Sequence, residues 1–159
     1  MEYHQRIKNI SVLGAAGKMG SGIVWLNLRE MAGTWMEMGK PASMPSLVAM
    51  DTSPDALEGL KKYVQVQAAR MTEKQTAIVQ SWFPEITGKE LENNLASLFT
   101  NMLQTTTRLE DTFHSPLVFE AVSENRQLKV RLFREINNNS ALKPWFFTNT
   151  SSVPIAEMD

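Results

Sequence analysis

The sequence predicts an α/β fold, a doubly wound parallel sheet with a helical insertion between its second and third strands. Short apolar runs typical of buried strands alternate with segments of helical periodicity, and this alternation is typical of parallel sheets covered by helices. A glycine-rich turn, GAAGKMG, joins the first of these strands directly to the first helix. The length of 159 residues fits one domain, so residues 1–159 are predicted to share a single core.

The predicted strands are short apolar or β-branched runs that end at turn-forming residues. They span residues 7–13, 47–50, 102–107, 117–122 and 145–148. The third of these runs is more polar than the others. Because helical segments separate the strands, neighbouring strands are expected to be parallel.

The first helix is predicted over residues 18–31, because apolar residues recur there at spacings near three and four. These residues are Met19, Ile23, Leu26 and Met31. Residues 32–46 mix Gly, Pro and Ser with Met and Trp and show no sustained period. They are predicted to form an irregular excursion before the second strand.

Two helical regions are predicted between the second and third strands. Ser53 and Pro54 are typical of an N-cap followed by a first helical position, so the first region runs from there toward Ser81. A second helix over residues 88–99 completes an insertion that covers residues 54–100. Further along the chain, residues 126–137 have the pattern of an amphipathic helix that ends at consecutive asparagines.

The composition argues against several classes of function. Lys and Arg number 16 against 17 Asp and Glu, so the chain has no excess positive charge with which to bind nucleic acid. The absence of cysteine removes disulfides, thiolate catalysis and cysteine-based metal sites, and no other metal site is apparent. No stretch approaches the ~18 apolar residues that a membrane span needs, so a soluble, cytoplasmic protein is predicted.

The glycine turn lies between a predicted strand and a predicted helix, which is the context that a phosphate-binding turn requires. Gly14 can permit the tight turn, Gly17 can let the backbone approach a pyrophosphate, and Gly20 can allow close packing of the helix. The pyrophosphate would bind N–H groups at the helix start, around Lys18 and Met19. An ordinary turn is the alternative, since the spacing is one residue longer than G-x-G-x-x-G. A Walker-type ATP site fits less well, because no Ser or Thr follows Lys18.

Asp51 ends the predicted second strand, where an acidic side chain can accept hydrogen bonds from both hydroxyls of an adenosine ribose and would repel a 2′-phosphate. The sequence therefore predicts NAD rather than NADP as the cofactor. The alternative is that Asp51 only caps the following turn. Its distance from the glycines exceeds the customary ~20 residues, and the excursion at residues 32–46 explains the excess if it is an insertion.

Two separated blocks resemble one family: GAAGKMGSGI near the start, and VFEAVSENRQLKVRLFREI with TNTSS near the end. Together they are similar to the Rossmann-type NAD-binding domain of 3-hydroxyacyl-CoA dehydrogenases, whose motifs are G-x-x-M-G-x-G-I, E-A-V-x-E-N with a following Lys, and N-T-S-S. The resemblance covers essentially the whole chain, although the middle helical region matches mainly in size and placement. It implies a parent protein that interconverts L-3-hydroxyacyl-CoA and 3-ketoacyl-CoA by hydride transfer, as in fatty-acid β-oxidation.

Carried over by position, the resemblance implies residues for both cofactor and substrate. It places Glu124 and Lys129 near the nicotinamide half of NAD, and Ser151 against cofactor and substrate. Ser151 would hydrogen-bond the 3-oxygen of the substrate and orient it, without acting as a nucleophile. Without the family, Glu124 would be interpreted as a first-turn helix acid, Lys129 as a solvated charge and residues 149–152 as a polar turn. The predicted cofactor-binding set is Gly14, Gly17, Lys18, Met19, Gly20, Asp51, Glu124, Lys129, Asn149 and Ser151, with Ser151 also predicted as catalytic.

The coenzyme A contacts of the family transfer less well. Lys74 is the only one that aligns by ungapped counting from Asp51, but a lysine on such a helix is more often solvated, and Tyr63 or Arg70 could serve instead. In the family, a catalytic His and an orienting Glu follow the N-T-S-S block, and a helical C-terminal domain completes the substrate site and forms the dimer.

His4 and His114 do not occupy the catalytic position that the resemblance implies. The domain is therefore expected to be incomplete at its C-terminal end and to lack the C-terminal helical domain. This chain alone is expected to bind NAD weakly without turnover, and the parent protein is expected to form a homodimer that acts on acyl-CoA.

Two other functions stay open. Another NAD(P)-dependent reductase with a GAAGxMG turn, similar to dihydrodipicolinate reductase, would leave the EAVSEN and TNTSS blocks unexplained. A non-catalytic nucleotide-binding or interaction module would keep the fold without the chemistry. Loss of a preference for NAD over NADP would remove the support for the role of Asp51.

Overall fold

The computed structural model describes residues 2–151, which form a five-stranded parallel sheet with helices on both faces. The strands span Asn9–Leu13 (β1), Ser46–Met50 (β2), Leu103–Thr106 (β3), Leu117–Glu120 (β4) and Trp145–Thr148 (β5). They lie in the order β3-β2-β1-β4-β5, and every neighbouring pair is parallel. The predicted doubly wound parallel sheet is confirmed.

Helices separate the strands as predicted, and a short helix that the sequence did not predict precedes β1. The helices span Tyr3–Arg6 (α1), Lys18–Glu37 (α2), Pro54–Lys74 (α3), Thr76–Trp82 (α4), Gly88–Met102 (α5) and Arg126–Asn139 (α6), and a 3₁₀-helix spans Leu109–Thr112. The helices α3, α4 and α5 lie between β2 and β3, so the predicted helical insertion is confirmed. Ser53 caps α3, because its hydroxyl accepts a hydrogen bond from the backbone N–H of Ala56 at 3.2 Å.

The end of α2 differs from the prediction. The helix continues to Glu37, so the irregular excursion predicted over residues 32–46 is confined to residues 38–45. The added turns are held by tertiary contacts: Ala32 is buried in the core, and the Trp35 indole N–H donates to the carbonyl of Pro41 at 2.9 Å. The chain leaves the helix through Gly39 and Lys40, both at positive φ.

The buried face of α2 also differs from the predicted stripe. Met19 and Leu26 are 55% and 61% exposed, whereas the buried residues of the helix are Gly20, Val24, Trp25, Leu28, Met31 and Ala32. The helix must present Gly20 to the turn that precedes it, and this requirement rotates the larger residues Met19 and Leu26 toward solvent. Packing at a glycine, rather than side-chain size, therefore sets the orientation.

Element boundaries differ at several other places. The first strand begins at Asn9 rather than at residue 7, because the chain turns there after α1. The helical region predicted toward Ser81 is two helices, which meet at Gln75. The fourth strand ends at Glu120 rather than at residue 122, because the backbone N–H of Val122 donates to the carboxylate of Glu120 instead of continuing the sheet.

Two apolar clusters pack against opposite faces of the sheet. The larger one joins β1 and β2 to α2, α3 and α5, and the smaller one joins Leu13 and Val118 to Leu132 and Ile136 of α6. Among the helices of residues 2–151, none combines the length and apolar character needed to cross a membrane.

Candidate functional site

The turns that follow β1, β2, β4 and β5 meet at one edge of the sheet, because parallel strands end on the same side. The chain continues from β1 to β2 on one side of β1, and β4 lies on the other side. The strand order therefore reverses at β1. In doubly wound sheets, ligands bind in the crevice at the carboxyl edge where the order reverses.

Steric demands within the protein account for Gly14 and Gly20. Gly14 has a φ of +70°, and a Cβ at this position would lie 2.7 Å from the carbonyl oxygen of Ala121. A Cβ on Gly20 would lie 2.0 Å from the carbonyl oxygen of Gly14. Gly14 thus lets the turn approach the segment after β4, and Gly20 lets α2 approach the turn.

Gly17 differs from these two glycines. It is the N-cap of α2, with φ −70° and ψ 170°, and the nearest atom to a Cβ built there is the Gly14 carbonyl oxygen at 3.4 Å. The protein itself therefore leaves room for a methyl group. Beyond Gly17, the first helical residues Lys18 and Met19 are exposed, and the N–H groups of a first helical turn have no acceptor within the helix.

Asp51 lies directly after β2 and reaches across to the glycine turn. Its Oδ2 accepts a hydrogen bond from the backbone N–H of Ala16 at 3.0 Å, and its Oδ1 accepts one from the backbone N–H of Ser53 at 3.3 Å. The carboxylate therefore caps its own turn and also joins the second strand to the glycine turn. Each carboxylate oxygen has a second lone pair, so the side chain can still accept hydrogen bonds from a ligand.

Lys129 is fully buried in α6, which contradicts the alternative interpretation as a solvated charge. Its Nζ lies 2.8 Å from Oε2 of Glu124 and 3.2 Å from Oε2 of Glu120. Burial alone would lower the pKa of Lys129. The hydrogen bonds and negative charges of Glu124 and Glu120 outweigh that effect and hold the pKa of Lys129 above its ordinary value.

Glu120 is a residue that the sequence interpretation missed. It is the last residue of β4 and is 0% exposed, and its carboxylate is the centre of a small network. Its Oε1 accepts from the backbone N–H of Val122 at 2.7 Å, and its Oε2 accepts from the Thr148 hydroxyl at 2.5 Å. One signal could have revealed it: a single acid at the end of the apolar run LVFE, where a charge needs a partner.

The polar residues after β5 lie beside this network. The backbone N–H of Asn149 donates to the carbonyl of Glu120 at 2.9 Å, and the Thr150 hydroxyl donates to the carboxylate of Glu124. Ser151 is exposed and is the last residue that the structure describes. The structure thus gathers Glu124, Lys129 and residues 149–150.

A second polar surface lies between α2 and α3. Arg70 and Lys74 line a cavity of about 200 Å³ whose other residues are Trp25, Arg29, Gln67, Met71 and Gln75. The Nη2 of Arg29 donates to Oε1 of Gln75 at 3.1 Å, and its buried Nε has no hydrogen-bond partner among the described residues. Tyr63, the other residue considered for coenzyme A, packs instead against the larger apolar cluster.

The histidines lie away from the carboxyl edge. His114 is exposed in the turn between the 3₁₀-helix and β4, and so lies at the amino end of that strand. His4 belongs to α1, which precedes β1. Within the described part of the chain, no group of three or more His, Asp or Glu side chains could hold a metal ion.

Comparison with solved structures supports the fold. The structure matches 3-hydroxybutyryl-CoA dehydrogenase from Escherichia coli K12 with a TM-score of 0.67 at 20% identity, covering 94% of this chain and 26% of that one. It matches (S)-3-hydroxybutyryl-CoA dehydrogenase from Ralstonia eutropha with a TM-score of 0.67 at 21% identity, covering 95% of this chain and 44% of that one. At these identities the likeness shows the fold.

Comparison of sequences shows the family. The chain is 31% identical over 152 residues to a probable 3-hydroxybutyryl-CoA dehydrogenase of Bacillus subtilis, covering 96% of this chain and 43% of the relative. It is 29% identical over 153 residues to the mitochondrial hydroxyacyl-coenzyme A dehydrogenase of Rattus norvegicus, covering 96% of this chain and 41% of the relative. The chain therefore spans less than half the length of these curated relatives. Residues 9–159 match the model of the 3-hydroxyacyl-CoA dehydrogenase NAD-binding domain, so the chain belongs to this family of NAD-binding domains.

Proposed function

We propose that the carboxyl edge of the sheet holds NAD with its pyrophosphate against the start of α2. The observation that carries this proposal is the contrast among the three glycines. Gly14 and Gly20 are required by the protein's own packing, whereas Gly17 has space for a side chain and adjoins the exposed start of α2. A glycine without a packing reason at a helix N-terminus is what close approach of a phosphate requires.

Asp51 would bind the adenosine ribose on one side of the turn, and the cluster of Glu124 and Lys129 would bind near the nicotinamide on the other. Contacts within the protein join these two sides, because Asp51 accepts from Ala16 while Gly14 packs against Ala121. Ser151, the predicted catalytic residue, follows β5 at the same edge. NAD, when bound, would take up the hydride from C3 of the substrate.

For the whole protein we propose the interconversion of L-3-hydroxyacyl-CoA and 3-ketoacyl-CoA. Lys129 would offer a buried cation beside the reacting groups, and Ser151 would orient the 3-oxygen of the substrate. The hydroxyl proton needs a base, and the resemblance implies a His in this role. The bacterial and rat relatives, a probable 3-hydroxybutyryl-CoA dehydrogenase and a hydroxyacyl-coenzyme A dehydrogenase, support this substrate class. A role in fatty-acid β-oxidation, a homodimeric state and a cytoplasmic location are further proposals that rest on the resemblance.

The coenzyme A part of the substrate would bind at the cavity between α2 and α3. Arg70, Lys74 and Arg29 place three cationic side chains around it, and the phosphates of coenzyme A are anionic. The unpartnered Nε of Arg29 offers a further hydrogen-bond donor. Both Lys74 and Arg70, considered as alternatives from the sequence, therefore contribute to one surface.

Calorimetric titration with NAD⁺ and NADP⁺ tests the cofactor proposal. We expect wild-type protein to bind NAD⁺ in preference to NADP⁺. Asp51→Asn keeps one of the two oxygen acceptors that bind the N–H groups of Ala16 and Ser53, and it removes the charge that repels a 2′-phosphate. We expect this variant to lose most of the preference. Equal binding of the two cofactors by wild-type protein would contradict the role of Asp51 and favour a general nucleotide-binding module.

A further inference from the structure

The buried carboxylate of Glu120 joins three segments that each carry residues proposed to contact NAD. Val122 belongs to the loop that leads to Glu124, Lys129 belongs to α6, and Thr148 immediately precedes Asn149. Within the proposed cofactor site, the Glu120 carboxylate pairs with the ammonium group of Lys129. Glu120 therefore lies behind the site rather than in it.

Burial of this carboxylate has a large cost unless its partners compensate. An unpaired buried charge destabilises a folded protein strongly, and a carboxylate keeps its charge in the interior only when several donors bind it. Glu120 has three donors: a backbone N–H, a hydroxyl and an ammonium group. The three donors come from different elements, so the carboxylate fixes their relative positions.

The two acids that bind Lys129 differ in exposure. The side chain of Glu120 is 0% exposed and that of Glu124 is 37% exposed. Glu124 can therefore turn toward a bound molecule, whereas Glu120 is enclosed by β4, β5 and α6. Glu120 is therefore the acid that the surrounding elements hold against Lys129.

We propose that Glu120 is a positioning residue of the cofactor site, which anchors the ammonium group of Lys129 and the end of β5 behind the exposed Glu124. The expected effect on NAD binding rests on the proposed function, whereas the contacts of Glu120 do not depend on it. The proposed role of Glu120 extends that function to a residue outside the predicted site. A role confined to folding would leave the charge of Lys129 and the binding of NAD⁺ unaffected in any variant that folds.

The first measurement needs no cofactor. Lysine side chains labelled with ¹³C at Cε are titrated with pH by NMR, and the Lys129 signal is identified by its loss in Lys129→Gln. In Glu120→Gln we expect the pKa of Lys129 to fall below its wild-type value, because one negative partner is removed. The same substitution at Glu85, an exposed acid in the turn after α4, is the matched control and should leave the Lys129 signal unchanged. An unchanged Lys129 pKa in Glu120→Gln would overturn the proposal.

The second measurement is NAD⁺ affinity by calorimetry. We expect Glu120→Gln to bind NAD⁺ about tenfold more weakly, the scale of one lost hydrogen bond to a charged group. In the Lys129→Gln background, the same substitution should have little further effect, because Glu120 acts through Lys129. Additive effects of the two substitutions would contradict that route.

Thr148→Val provides a milder variant if Glu120→Gln does not fold. It removes one of the three hydrogen bonds at nearly constant volume, and we expect NAD⁺ binding about threefold weaker. Wild-type affinity in this variant would overturn the link to β5. If wild-type protein binds no NAD⁺, the proposed function fails, and so does the proposed effect of Glu120 on NAD binding. The titration of Lys129 still tests whether Glu120 anchors its ammonium group.

Discussion

Alanine substitution of the three turn glycines separates those that the fold needs from the one that the cofactor needs. A Cβ on Gly20 would lie 2.0 Å from the carbonyl oxygen of Gly14 and 2.9 Å from Cα of Ala15. Both neighbours are backbone atoms, so no side-chain rotation relieves the contact. We expect Gly20→Ala to lower the free energy of unfolding by at least about 3 kcal/mol, the upper range for overpacked sites.

Gly14→Ala combines strain with a clash. Its φ of +70° costs an L-residue about 1–2 kcal/mol, and the Cβ would lie 2.7 Å from the Ala121 carbonyl oxygen. For Gly17→Ala the backbone is extended and the nearest contact is an ordinary 3.4 Å. Loss of the glycine N-cap lowers the free energy of unfolding, and restriction of the unfolded chain by alanine raises it by a similar amount. We therefore expect the free energy of unfolding of Gly17→Ala to lie within about 1 kcal/mol of the wild-type value.

For NAD⁺ affinity, in contrast to stability, the large effect is expected at Gly17. We expect Gly17→Ala to weaken NAD⁺ binding at least about tenfold, equivalent to 1.4 kcal/mol, because the methyl group occupies the space that the pyrophosphate needs. Urea unfolding followed by tryptophan fluorescence measures stability, and calorimetry measures affinity. Gly59→Ala is the control, since nothing lies within 4 Å of a Cβ there. Wild-type affinity in folded Gly17→Ala would refute the reasoning.

Two further predictions concern charged residues. Because the folded state holds the pKa of Lys129 above its unfolded value, its contribution to stability is complete below about pH 10.4 and is lost as the pH rises through the folded pKa. Urea unfolding at several alkaline pH values should show this loss in wild-type protein but not in Lys129→Arg, whose side chain stays charged. Equal dependence of the free energy of unfolding on pH in the two proteins would contradict the prediction. Replacing Arg70 and Lys74 together by Glu should weaken coenzyme A binding at least about tenfold by calorimetry without changing NAD⁺ affinity, and unchanged coenzyme A binding would remove that cavity from the substrate site.

The alternation of strands and helices was predictable because each element carries its own local pattern. Buried strands are apolar, and the caps at Ser53 and Asn125 accept hydrogen bonds within their own first turns. The orientation of α2 was not predictable in this way. Met19 and Leu26 have the spacing of a buried stripe, but contact between Gly20 and the carbonyl of Gly14 is a tertiary constraint that side-chain periodicity does not encode.

The sequence predicts the Asp51 side of the candidate site more directly than the side of Glu120 and Lys129. Asp51 follows a strand, so topology alone brings it to the carboxyl edge. Glu120 and Lys129 also lie at that edge, but nothing local pairs an acid at the end of a strand with a lysine on the next helix. The cationic cavity was still harder to predict, because Arg29 on α2 meets Arg70 and Lys74 on α3 only after both helices pack on the sheet.

The glycine turn is one residue longer than the usual pattern, yet the protein fixes it from both neighbouring strands. On the β2 side, the N–H groups of Ala15 and Ala16 donate to the Met50 carbonyl at 3.1 Å and to Asp51 at 3.0 Å. On the β4 side, the Ala121 N–H donates to the Leu13 carbonyl at 2.9 Å. A turn held in this way needs no ligand to order it.

Hydrogen exchange tests this conclusion. Without NAD, we expect the amides of Ala15 and Ala16 to exchange slowly, because both are bonded within the protein. The amides of the exposed residues Lys18 and Met19 should exchange fast, because a first helical turn offers them no acceptor. NAD⁺ should then protect Lys18 and Met19 while changing Ala15 and Ala16 little. Fast exchange of all four amides without cofactor would mean that the ligand, rather than Asp51 and the flanking strands, orders the turn.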